Sequence, residues 1–91
     1  MSDLTRNEII KLIAVATKPL NLRGVNLKGV DLSGLDLSGV NLKRANLTRA
    51  NLCFTDLTRV DLTDADLTGA DLNGADLYGA INWIRENPLL P

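Results

Sequence analysis

The sequence predicts an all-β solenoid, a chain wound into stacked coils, preceded by one short helix. Three observations carry this prediction. Leucine recurs at every fifth residue from Leu22 to Leu77 without a gap. Each of those leucines follows an Asn or Asp, and all seven glycines of the chain stand two residues after one of them. A period of five suits neither regular element. On an α-helix five residues advance by roughly 140°, so the leucines would spiral around the cylinder instead of forming a stripe. On a flat strand an odd period throws successive leucines onto opposite faces and leaves half of them in water. A chain that turns a corner once per unit brings every leucine back inside, with coil resting on coil.

The elements follow in order. Residues 1–19 read as an N-terminal capping helix. Thr5-Arg6-Asn7-Glu8 has the form of a capping box, with Leu4 and Ile9 placed as a hydrophobic staple. Ile9, Ile10, Leu12, Ile13 and Val15 follow before Pro19 forbids continuation, which predicts a helix over about residues 6–17. A solenoid exposes apolar side chains and unpaired backbone at its ends, so a cap is needed there. The first coil carries bulky Leu20, Val25, Val30 and Leu35 where the last carries Ala65, Ala70 and Ala75, and the wide end is expected to meet the helix.

Residues 20–80 are the repeat. Written in fives from Leu20 they give LNLRG, VNLKG, VDLSG, LDLSG, VNLKR, ANLTR, ANLCF, TDLTR, VDLTD, ADLTG, ADLNG and ADLYG, twelve units without a gap. Positions one and three share a parity and are apolar, apart from Thr55 at position one, so they form the core. Positions two, four and five face out or make the corner. Asn and Asp suit a corner because they bond nearby backbone, and Gly because it tolerates positive φ.

Units such as ADLTG, ADLNG and ANLTR resemble the A(D/N)LXX consensus of the pentapeptide-repeat family over residues 20–79. The resemblance implies a right-handed quadrilateral β-helix with four units per coil. Twelve units then make about three coils, a stack about 14 Å tall at the spacing of hydrogen-bonded strands. After Ala80 the beat fails, since the next leucine position is Asn82. Residues 81–91 read as a C-terminal cap or tail in which Trp83 covers the last layer, or in which the apolar residues make a dimer contact.

Ten basic against eleven acidic residues give a net charge of −1, too balanced for a whole-chain nucleic-acid footprint. The distribution is uneven. Residues 41–60 carry four basic side chains and one Asp, whereas residues 61–80 carry five Asp and no Lys or Arg. One Cys and no His exclude an internal disulfide and the usual zinc sites. Nucleotide-binding and hydrolase motifs are absent, and Cys53 has no histidine to activate it. The chain reads as cytoplasmic, non-enzymatic and free of cofactor: a small structural or protein-interaction module whose partner is another protein. Nucleic acid and membrane are not expected partners, and the module is read as a monomer or as a homodimer through its apolar C-terminal end.

The candidate interaction surface comprises Phe54, Cys53, Tyr78, Arg44, Arg49 and Trp83. Phe54 and Cys53 break the small, polar filler between Leu52 and Leu57. With residues twenty apart stacked, the ring stands between Gly34 and Gly74 and is expected to lie over them or to project. Asp36, Asp56 and Asp76 form a column whose simplest reading is corner residues bonded to backbone. The family resemblance also implies an alternative, a DNA-mimic-like binder of a type II topoisomerase. Shortness, leucine where those members use Phe, and the lack of a broad negative surface weigh against it.

Overall fold

The computed structural model describes residues 2–17 and 19–82. Helix α1 spans Arg6–Val15, with Thr5 as its N-cap. Thr5 Oγ1 accepts the Glu8 N–H at 3.2 Å and Glu8 Oε1 accepts the Thr5 N–H at 2.9 Å, closing the capping box. The helix stops two residues short of the expected 6–17. Ala16 is already extended, at φ −70° and ψ 128°, with its N–H turned back to Leu12 and Ile13, and no basic side chain stands in the last turn to favour its continuation. Ile9 is fully buried, and Leu4 and Ile13 pack against the same core, whereas Ile10 and Val15 face solvent. Ile9 and Ile13, four apart, lie on one stripe of the helix; Ile10 and Val15 lie off it.

From residue 20 the chain turns at every fifth residue. Position two of each unit bridges in parallel to position two of the unit twenty residues on, as in Asn21 to Asn41 to Asp61 to Ile81 and Asp36 to Asp56 to Asp76. Twenty residues are four units, so the repeat has four walls. The first holds 20–24, 40–44 and 60–64, the second 25–29, 45–49 and 65–69, the third 30–34, 50–54 and 70–74, and the fourth 35–39, 55–59 and 75–79. The tiers are 20–39, 40–59 and 60–79. Backbone hydrogen bonds join them: the Leu22 N–H donates to the Asn41 carbonyl at 2.8 Å, Gly24 to Lys43 at 2.8 Å, and Asn41 back to Leu20 at 2.9 Å. The same pattern follows the chain upward in number, with Ile81 donating to Val60 at 2.8 Å.

Positions four and five make the corner, as expected for the glycines, but position two, expected there as well, stands before it. Within each unit the N–H of the next position one donates to the leucine carbonyl, as Val25 does to Leu22 at 3.1 Å. Position five, the third residue of that turn, has positive φ, which is the type II signature. Asn and Asp stand on the wall just before the turn. Their Oδ1 accepts the N–H of position four, as Asn21 does from Arg23 at 3.1 Å and Asp56 does from Thr58 at 3.0 Å. Where position four is Ser or Thr its hydroxyl usually donates to the same oxygen, for example Thr48 to Asn46 at 2.7 Å. The column Asp36, Asp56 and Asp76 is bonded in this way, each to the backbone two residues on.

The interior is filled. The position-three leucines from Leu22 to Leu67 are at most 3% exposed, while Leu35 at position one and Leu72 and Leu77 in the third tier are half-buried. Thr55 is the one buried polar residue among those described, and its Oγ1 donates to the Leu32 carbonyl at 2.8 Å. A polar group inside an apolar stack is tolerated when its hydrogen bond is made. Ile9 of α1 belongs to the same buried cluster, and α1 and the residues before it reach the first tier through Asp3, which bonds the Asn26 backbone, and Arg6, which pairs with Asp31 at 3.3 Å. No helix of the described residues is long and apolar enough to cross a membrane.

Candidate interaction walls

With the core closed by leucine, the variable chemistry of the repeat is carried by positions four and five. Position five has the same backbone on every tier but different side chains. In the first tier it is Gly24, Gly29, Gly34 and Gly39, at φ 70–71°. In the second it is Arg44, Arg49, Phe54 and Arg59, at φ 58–60°. The left-handed region costs an L-residue roughly 1–2 kcal/mol relative to its usual conformations, so these corners carry side chains at an energetic cost.

Three of those side chains descend onto glycines of the third tier. A Cβ built on Gly69 would stand 3.3 Å from Arg49 Cγ, and one on Gly79 would stand 3.2 Å from Arg59 Cγ. On Gly74 it would meet the Phe54 ring at 2.5 Å. Nothing lies within 4 Å of the same point on Gly34. Phe54 therefore covers Gly74 alone, not both glycines. It remains 75% exposed, because only one of its sides rests on the wall. Tyr78, on the fourth wall one tier below, is 81% exposed, and the corner carrying Phe54 borders that wall.

Cys53 sits beside Phe54 at position four, partly covered. The Asp71 carboxylate on the tier below, as a hydrogen-bond acceptor for the thiol, together with burial and its negative charge, raises the pKa of Cys53 above the ordinary thiol value. A thiol held protonated is a weak nucleophile. Asp71 is shifted the other way, below the ordinary carboxylate value, first by the Asn73 backbone N–H and then by Cys53. Asp36 and Asp66 are also lowered, each by the hydroxyl and backbone of the residue two positions on. Asp61 is lowered too: burial opposes ionisation, and Thr63 and Lys43 outweigh it.

Arg44 and Arg49 mark the two vertical edges of the second wall in the middle tier. Lys43 lies beside Arg44 and pairs with Asp61 below it at 3.6 Å. A concavity of about 370 Å³ opens here, lined by Arg23, Lys43, Arg44, Asp61, Asp64 and Ile81 among others. The sequence reading missed the part played by Ile81, since the leucine beat fails directly after it. Yet Ile81 completes the bridge to Asp61, and Asn82 Nδ2 donates to Thr63 Oγ1 at 2.9 Å. The signal available was the twenty-residue spacing from Asp61, not the five-residue beat. Of the sequence-selected residues, Phe54 and Cys53 share the corner of the third and fourth walls, Tyr78 stands at the other end of the fourth wall one tier on, and Arg44 and Arg49 flank the second. Trp83 lies outside the described residues, as does the rest of the proposed tail beyond residue 82.

Comparison with known proteins gives a consistent picture. The family model described as pentapeptide repeats matches residues 20–44 and 45–81. A pentapeptide repeat protein from the Arabidopsis thaliana thylakoid lumen superposes with a TM-score of 0.65 at 31% identity, over 69% of this chain and 44% of that one. A pentapeptide repeat protein from Nostoc PCC 7120 gives a TM-score of 0.54 at 51% identity, over 66% of this chain and 54% of the other. The chain thus spans about half the length of these solved structures. No curated protein matches it significantly.

Proposed function

This chain belongs to the pentapeptide-repeat family, whose members form right-handed β-helices, and from that premise we propose that it is a small, non-enzymatic structural or protein-interaction module. In this reading the repeats are three coils of a quadrilateral helix, capped at the first coil by α1, and another protein in the cytoplasm contacts the walls. The observation that carries it is the exposure of Phe54 and Tyr78, at 75% and 81%, on a scaffold whose position-three leucines are sealed inside through the first two tiers. Aromatic side chains held in water on a rigid wall are characteristic anchors of protein contacts. The closed interior supports the same reading, since a leucine-filled stack offers no deep pocket for a substrate.

The topoisomerase alternative has less behind it, because the second tier carries Lys43, Arg44, Arg49 and Arg59 where a mimic of DNA would need carboxylates. The contact reading is tested by affinity capture from the source cells, comparing the wild type with the Phe54→Ala/Tyr78→Ala double variant. The expected result is a discrete protein retained by the wild type and lost by the variant. Identical captured sets would overturn the assignment of these two residues.

A further inference from the structure

The first and second walls carry both signs of charge in adjoining rows. In the second tier, residues 40–49 hold Lys43, Arg44 and Arg49 and no acid. Directly below, in the third tier, residues 60–69 hold Asp61, Asp64 and Asp66 and no base. The two rows are joined by the bridges Asn41 to Asp61 and Asn46 to Asp66, so they run parallel, one tier apart. We propose that this pair of rows is a self-complementary docking surface through which two copies of the chain associate antiparallel, the basic row of each against the acidic row of the other.

The symmetry follows from the ladder. A two-fold axis perpendicular to the stack inverts the order of the tiers, so the second tier of one copy meets the third tier of its partner. On the second wall the two positive charges Arg44 and Arg49 then face the two negative ones Asp64 and Asp66, twice, one tier of each copy against one tier of the other because both share the same rise. The first tier, with Arg23 and Lys28, overhangs the contact. A pure translation would instead set like rows against like, which is why the antiparallel arrangement is chosen.

Four of the six charges are available for this. Lys43 and Asp61 pair within the chain at 3.6 Å, but Arg44, Arg49, Asp64 and Asp66 make no ion pair among the described residues. Asp66 uses Oδ1 for the Thr68 N–H and hydroxyl, leaving the other oxygen outward. Arg44, Arg49 and Asp64 also occupy left-handed corners, at φ 60°, 59° and 60°, where Gly24, Gly29 and Gly69 stand in the neighbouring tiers of the same walls. Three strained corners in one patch thus carry charge instead of glycine. Ile81, 49% exposed in the concavity below Arg44, adds apolar area at the lower edge. A net charge of −1 leaves little overall repulsion to oppose pairing.

Sedimentation velocity on the full chain tests the proposal at about 10 mM salt, where the screening length is about 30 Å, and at about 1 M, where it is about 3 Å. At low salt the mass is expected to rise with concentration from 9.8 kDa towards twice that value, and at high salt to return to the monomer. Two variants sharpen it, Arg44→Asp/Arg49→Asp and Asp61→Asn/Asp64→Arg/Asp66→Asn. Each introduces only residue types that equivalent positions already hold, Asp at corner 64, Arg at corner 44 and Asn at positions 41 and 46, so the ladder is preserved. Each variant alone should stay monomeric, and an equimolar mixture should form the mixed dimer. A wild type monomeric at low salt would overturn the proposal. So would a dimer that survives high salt, which would point to an apolar contact, an open-ended assembly, or variants that behave alike alone and mixed. The Phe54→Ala/Tyr78→Ala variant should pair as the wild type does, which separates this contact from the one proposed for the aromatic residues at the two ends of the fourth wall.

Discussion

The first and second tiers have the same backbone and opposite surfaces. Every first-tier corner is glycine with open space beside it or, at Gly39, only Pro19 at van der Waals distance. Every second-tier corner is a large side chain in the same left-handed conformation, three of them resting on a glycine of the third tier. Glycine therefore has two uses in one fold. In the first tier it relieves conformational strain, whereas at Gly69, Gly74 and Gly79 it also makes room for the side chain above. The difference teaches that corner identity is set by what the neighbouring tier must accommodate as well as by φ.

The largest expected effect breaks the comparison from inside. Leu52 is fully buried between two tiers, and Leu52→Ala should destabilise the fold by about 2–5 kcal/mol, read by chemical denaturation. Leu72, on the same wall one tier on, is half-buried, and Leu72→Ala should cost clearly less. Equal costs would mean that the tiers are equally sealed.

Corner substitutions come next. Gly34→Ala should cost only the left-handed penalty, roughly 1–2 kcal/mol. Gly74→Ala should cost that and a further overpacking term of about 1–3 kcal/mol, since the new methyl meets the Phe54 ring. In the Phe54→Ala background the two glycine substitutions should become equivalent. A double-mutant cycle with no coupling would contradict the contact.

The smallest effect concerns acid. Three of the four position-two residues of the second tier are Asn, which do not titrate, whereas the third tier uses Asp throughout. Asp61, Asp66 and Asp71 have folded pKa values below the ordinary carboxylate value. Their contribution is therefore fully present above the unfolded pKa of about 3.9 and is lost as pH falls through the lower folded values. Stability measured from neutral to acid pH should hold until about pH 4 and then decline. The triple change Asp61→Asn/Asp66→Asn/Asp71→Asn should flatten that decline.

Much of this was legible in the leucine period, because a period of five has few physical solutions and the capping box marks its helix directly. The helix end was less so: Val15 is apolar, yet the chain had already left the helix at Ala16, and local composition does not report that. The function of Asn and Asp was half legible, since bonding to nearby backbone was expected but at the corner itself instead of one step before it. Phe54 shows the limit most plainly. The twenty-residue stacking names Gly34 and Gly74 as its neighbours, but which one the ring covers depends on the direction that a left-handed Cα gives its side chain. The aligned charges of the second and third tiers could be tabulated from the sequence; their being unpaired could not.

The central claim is the twenty-residue register, on which the core, the corners and the charge rows all depend. The native Cys53 tests it directly. Ser33 stands twenty residues before it on the same wall, within the roughly 4.4–6.8 Å that a disulfide spans if tiers are spaced as paired strands are. Under mild oxidation the Ser33→Cys variant should form an intramolecular disulfide with Cys53, seen as one linked tryptic peptide by mass spectrometry. The Ser38→Cys variant, fifteen residues away and on another wall, should not. Cross-linking from position 38 in preference to position 33 would contradict the register and the account built on it.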